Sequence, residues 1–139
     1  MEIVVDASLT LTWCLLDEKH PGAERVLEES YKASMHVPQH WALEVSNGLV
    51  MAMKRGRISE SEIYEALAFL AVFDFFPDAF TASAAKSTAL ALAIRHRLTL
   101  YDAAYLELAL RLGHPLATLD QKLAKAAEEE GVEVMKIES

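Results

Sequence analysis

Four acids in this 139-residue chain, Asp6, Glu44, Asp102 and Asp120, sit where a carboxylate needs explaining. Asp6 closes the β-branched run EIVVD, and Asp120 follows PLATL, a second short run with strand character. Asp102 enters LTLYDAAYLELAL, an otherwise apolar helical stretch, and Glu44 lies between Leu43 and Val45 near Trp41. Two kinds of chemistry compete for such residues. An aspartate at a helix start accepts hydrogen bonds from the free backbone N–H groups of the first turn. Carboxylates assembled from distant segments can instead hold a divalent cation, which reverses their local field. Asp6 and Asp120 stand where caps stand, and Thr99 with Asp102 has capping-box spacing. Glu44 resists that reading, because it falls about two turns inside its helix.

The elements that must position these acids alternate along the chain. EIVVD, MHVP, PLATL and VEVMKI read as short strands, and DFFP as a strand remnant ending at Pro77. ASLTLTWCLLDE has helical spacing through Leu9, Trp13 and Leu16, and HPGAERVLEESYKA opens a helix at or near Pro21. A long helix is predicted over residues 38–54, with Pro38 in its first turn and Gly56 behind it. Ser59 and Glu62 form a capping box for a helix reaching about Val72. Alanine content predicts one helix over 81–96, and Gly113 and Gly131 close the last two. Interleaved strands and helices predict an α/β fold in three layers, with a central parallel sheet of four to five strands flanked by helices. Residues 1–139 read as a single domain. Ligands of open parallel sheets bind beyond the carboxyl ends of the strands, so the four acids are placed to converge on one rim.

Composition narrows the field. At 53% hydrophobic and 24% charged the chain can build a core. No apolar run reaches the roughly 18 residues of a membrane span, and MEIVVDAS lacks the layout of a secretion signal. Cys14, the one cysteine, allows no intrachain disulfide and suits a reducing cytoplasm; it reads as a small buried side chain. A net charge of −8 opposes non-specific binding to nucleic acid, though a bound cation would change the field at a local site. His40 and Glu44 stand at i and i+4, but no HExxH pattern accompanies them, and the other histidines read as scattered surface residues. There is no nucleophile-elbow serine and no phosphate-binding glycine loop. A phosphoaspartate signalling domain would share the strand-end acids but gives Glu44 no role.

The stretches VVDASLTLTWCLLDE, ALEVSNGL, LTLYDAAYLELA and LATLDQKL resemble, in order and context, the motifs of the PIN-domain family. The likeness is closest to the VapC-like toxins of toxin–antitoxin modules and runs from Ile3 to the last strand. It implies a PIN-like fold and a ribonuclease dependent on Mg²⁺ or Mn²⁺. Asp6, Glu44, Asp102 and Asp120 match the acids that form the metal pocket, and Ser8, Asn47 and Thr118 match the supporting polar positions. One departure concerns a further acid that some members carry after the last one; here Lys122 stands nearby. The resemblance also implies RNA as substrate, a homodimer, and an antitoxin that covers the site.

That chemistry suits these residue types. Hard divalent cations take oxygen ligands and keep several waters. Without a cation, clustered carboxylates repel one another and their pKa values rise. Lys54, Arg55, Arg57, Arg95, Arg97, Lys122 and Lys125 are candidates for phosphate contact, each against the alternative of a solvated surface charge. Apolar residues spread around the helices of 38–73 and suit either a generous core or a partner. The rival to an enzyme is a catalytically inactive scaffold or RNA-binding regulator of the same fold.

Overall fold

The computed structural model describes every residue except Glu18, Lys19, Lys136, Glu138 and Ser139. β1 (Glu2–Val5) leads into α1 (Ala7–Cys14) and α2 (Pro21–Ser30), then β2 (Ser34–Val37). α3 (Trp41–Lys54) and α4 (Glu60–Leu70) precede β3 (Asp74–Pro77). α5 (Thr81–Ala85), α6 (Thr88–His96) and α7 (Leu100–Leu112) follow, then β4 (Leu116–Ala117) and α8 (Gln121–Glu129). The sheet has four strands in the order β3-β2-β1-β4, and every pairing is parallel.

β1 is central, and its Ile3, Val4 and Val5 are all fully buried. A strand covered on both faces needs apolar residues at successive positions, which is why EIVV shows no alternation. Val4 packs with Leu116 and residues of α6, α7 and α8. Ile3 and Val5 pack with Leu9, Trp13 and Val26 from α1 and α2. A third cluster joins α1, α3 and α4 through Ala7, Val45, Leu49 and Leu70. Trp41 touches all three clusters. Its indole N–H donates to Thr10 Oγ1 at 3.1 Å, and its ring stacks on Phe75 at 4.3 Å, which fixes the start of α3.

Several predicted boundaries move. The helix predicted from Pro38 begins at Trp41, whose N–H reaches the Pro38 carbonyl at 3.1 Å. Glu44 is therefore in the first turn and not two turns inside. The residue before a proline favours extended backbone, so Val37 stays in β2 and Pro38 begins the exit from the sheet. DFFP is a full strand, paired along its length with β2. The helix predicted over 81–96 breaks into α5 and α6 around Ser87, whose hydroxyl donates to the Ser83 carbonyl at 3.1 Å. Hydroxyl side chains offer the backbone such alternatives to a helical ladder, and alanine content does not register them. α1 stops at Cys14, leaving Leu16 outside it and 84% exposed. Of the strand predicted from VEVMKI, Val134 makes a single parallel bridge to Leu116, and Lys136 lies outside the described residues. The capping box of Ser59 and Glu62 forms as read, with both hydrogen bonds in place.

Candidate active site

Asp6 and Asp120 follow the carboxyl ends of β1 and β4, adjacent parallel strands. Asp6 caps α1: its Oδ1 accepts from Leu9 N–H at 3.0 Å and from the Ser8 hydroxyl at 2.8 Å. Its Oδ2 accepts a short hydrogen bond from the Thr118 hydroxyl. The side chain is nearly sealed from water, at 4% exposure. Burial pushes its carboxyl up to about 6 despite the donors from Thr118, Leu9 and Ser8, and Asp102 adds repulsion. Asp120 caps α8, accepting from Lys122 N–H at 2.9 Å and Leu123 N–H at 3.1 Å. Its own N–H donates to Thr118 Oγ1 at 3.0 Å. Thr118 therefore ties the two strand ends together with one hydroxyl.

Asp102 enters from α7 but does not cap it. The cap is Thr99, whose hydroxyl accepts from the Asp102 N–H at 3.1 Å. The Asp102 carboxyl is raised by partial burial and then by repulsion from Asp120 and Glu44, with Thr99 and His40 opposing. Glu44, on α3, accepts a 2.6 Å hydrogen bond from the Tyr105 hydroxyl. His40 Nε2 lies 3.2 Å from the same Oε1 and 3.2 Å from the Tyr101 carbonyl. Tyr105 is buried, and both burial and Glu44 push its hydroxyl above the usual tyrosine range, so it stays a donor.

These interactions link the four acids in one field. Asp102 acts on Asp6, Asp120 and Glu44 act on Asp102, and Glu44 and Asp6 both act on Tyr105. Of the polar positions, Ser8 and Thr118 bind Asp6 directly. Asn47 is exposed on α3 and joins none of the four acids by a side-chain hydrogen bond among the described residues. The four acids offer only oxygen donors, which suit a hard divalent cation better than a soft one, and His40 is the one imidazole placed beside them among the described residues.

Two residues escaped the reading of the sequence. Tyr105 looked like one more apolar residue of α7, although its i+3 spacing from Asp102 places both toward one face. His40 was noted only for its spacing to Glu44. Cys14, expected to be buried, is half-buried, and that burial pushes its thiol up to about 11, far from a nucleophile. Among the basic residues, Arg57 pairs with Asp17, Arg95 with Glu130, and Lys122 Nζ donates to the Arg97 carbonyl. A separate group, Glu2, His36 and His114, brings one ligand atom from each residue within 4.8 Å of the others. The structure thus gathers two histidines that looked scattered along the sequence.

The PIN domain family model matches residues 3–129. The chain belongs to the PIN-domain family. Ribonuclease VapC3 of Pyrobaculum aerophilum is 36% identical over 127 residues, spanning 90% of this chain and 94% of that protein. The crystal structure of PAE2754 from the same organism superposes with a TM-score of 0.63 at 22% identity, covering 91% of this chain and 86% of that one. VapBC2 of Rickettsia felis, solved bound to a DNA fragment from its promoter, gives a TM-score of 0.66 at 10% identity, with 97% and 98% covered. FitAcB of Neisseria gonorrhoeae gives 0.64 at 16% identity, with 96% of each chain covered. Among the described residues, no helix is long and apolar enough to cross a membrane.

Proposed function

We propose that this chain is a metal-dependent ribonuclease, the toxin component of a toxin–antitoxin module, acting in the cytoplasm as one domain. The carrying observation is that Thr118 ties Asp6 to Asp120 while Tyr105, one turn along α7 from Asp102, holds Glu44, so that acids from four segments share one rim. Similarity to Ribonuclease VapC3 supports RNA as the substrate. Asp6, Glu44, Asp102 and Asp120 would hold Mg²⁺ or Mn²⁺, and Ser8, Thr118 and Asn47 would support them. When bound, the ion lowers the pKa of a water and neutralises charge on the leaving oxygen.

The protein's own groups do the positioning. Thr118 and Ser8 fix the Asp6 carboxylate, and Tyr105 fixes Glu44, so the rim is set before any ligand arrives. Exposed apolar residues on α3 and α4, with Leu43 at 75% and Tyr64 at 65%, support a homodimer and an antitoxin partner. Incubation with a panel of structured and unstructured RNAs tests the reading. Cuts should require Mg²⁺ or Mn²⁺ and stop in EDTA. An inactive scaffold would bind RNA without metal-dependent turnover.

A further inference from the structure

We infer that Glu2, His36 and His114 form a second metal site, for a zinc-class transition ion, that staples β1 and β2 to the approach to β4. This site does not depend on the ribonuclease reading. Glu2 Oε1 and His36 Nε2 are 2.5 Å apart, and the His36 and His114 ring centroids are 5.2 Å apart. Zinc bonds of 2.0–2.2 Å at tetrahedral angles place ligand atoms about 3.3 Å from one another. Donors already within 4.8 Å need only small side-chain shifts to reach that spacing.

The chemistry differs from that of the acidic rim. Two imidazoles and one carboxylate are a borderline donor set that favours zinc over magnesium. The location differs too. Glu2 begins the strand that Asp6 follows, and His114 precedes the strand that Asp120 follows. At 3.3 Å of rise per residue, Glu2 and Asp6 are about 13 Å apart along β1, and His36 pairs in register with Val4, two residues before Asp6.

Each donor rests on an ordered support. Glu2 and His36 belong to paired strands, with Phe76 stacked on the His36 ring at 5.6 Å. His114 follows the left-handed Gly113 that ends α7, and its N–H donates to the Ala109 carbonyl at 3.2 Å. The ion would cross-link β1, β2 and the approach to β4, while water or a partner's side chain fills the fourth position.

Zn²⁺ binding is measured on the full chain by competition with a chromophoric chelator in millimolar Mg²⁺, which fills the acidic rim, beside melting curves with and without Zn²⁺. We expect one equivalent bound at micromolar affinity or better and a raised Tm. Glu2→Gln and His114→Gln, at exposed or half-exposed positions, should each weaken binding at least about tenfold, whereas Glu60→Gln, exposed at the start of α4, should bind like the parent. Co²⁺ should give the visible absorption of a four-coordinate site in the parent and lose it in His114→Gln. Unchanged Zn²⁺ binding in both ligand variants would overturn the site. So would loss of binding in Asp102→Asn alone, which would place the ion in the rim, or affinity no better than millimolar.

Discussion

The Tyr105 hydroxyl donates a 2.6 Å hydrogen bond to Glu44 across 61 residues of sequence, joining α7 to α3 at the acidic rim. This contact, with His40 Nε2 at 3.2 Å from the same oxygen, holds the Glu44 carboxylate in place. Tyr105→Phe keeps the buried ring and removes only the donor. The expected result is a 10–100-fold loss of Mg²⁺ or Mn²⁺ affinity, with a stability change of about 1 kcal/mol. Metal titration followed by melting temperature measures both effects, and unaltered affinity would leave Tyr105 a packing residue.

Asp102 and Asp120 should respond oppositely to removal of their charge or side chain. Asp102 repels its neighbours and caps nothing, so Asp102→Asn should leave metal-free stability unchanged or raise it by up to about 1 kcal/mol. Asp120 accepts two backbone N–H groups, and Asp120→Ala should cost about 1 kcal/mol. Both should blunt the rise in Tm that Mg²⁺ produces. Melts in EDTA and then in Mg²⁺ separate the two; a lower metal-free Tm for Asp102→Asn would contradict its placement.

Asp6 gives the metal-free protein a pH dependence of definite sign. Its folded carboxyl titrates at about 6, above the ordinary 3.8. A raised acid contributes stability that is full below the unfolded value and lost as pH rises through the folded one. Between pH 4 and 6 in EDTA this contribution should fall by up to about 3 kcal/mol. Asp6→Asn should flatten that part of the denaturation profile, and a variant that tracks the parent would refute the assignment.

Far from the rim, Arg111 clamps Glu107 on its own helix and Asp78 beyond β3. Burial pushes the Asp78 carboxyl up, but Arg111, the Phe80 N–H and the Thr81 hydroxyl together outweigh it and hold the group below its ordinary value. Its contribution is therefore present above pH 3.8 and lost as pH falls through the lower folded value. Arg111→Ala leaves buried Glu107 without its partner and should cost about 2 kcal/mol at neutral pH, discounted for the partial exposure of Arg111. Chemical denaturation at neutral and acid pH measures it; a change within about 0.5 kcal/mol would mean the network is inert.

The exposed apolar residues of α3 and α4 predict self-association. Light scattering at micromolar concentration should give about twice the 15.4 kDa chain mass, since an apolar interface of ordinary size persists there. A monomer mass would count against it.

Much of the architecture was legible because β1 and its neighbours are apolar without alternation, and because Ser59, Gly113 and Gly131 punctuate the helices. Asp6 and Asp120 were legible twice over, since each both caps a helix and faces the rim. The capping-box spacing of Thr99 and Asp102 holds by half: the Thr99 hydroxyl accepts from the Asp102 N–H, and among the described residues the Asp102 carboxylate makes no return bond to the Thr99 N–H. The break around Ser87 was hidden by alanine content. Tyr105 and the pairing of His36 with His114 were not legible, because their partners come from other elements and only the packing of helices and sheet brings them together.

The central claim is that four carboxylates act as one metal-dependent site on RNA. Its most direct test is cleavage of one mapped RNA in Mg²⁺ or Mn²⁺ by the parent and by Asp6→Asn, Glu44→Gln, Asp102→Asn and Asp120→Asn, each confirmed folded by its melting curve. The account predicts that every variant loses about a hundredfold or more of the rate, and that EDTA abolishes cleavage by the parent. Parental cleavage that survives EDTA, or folded variants that cut at the parental rate, would contradict it.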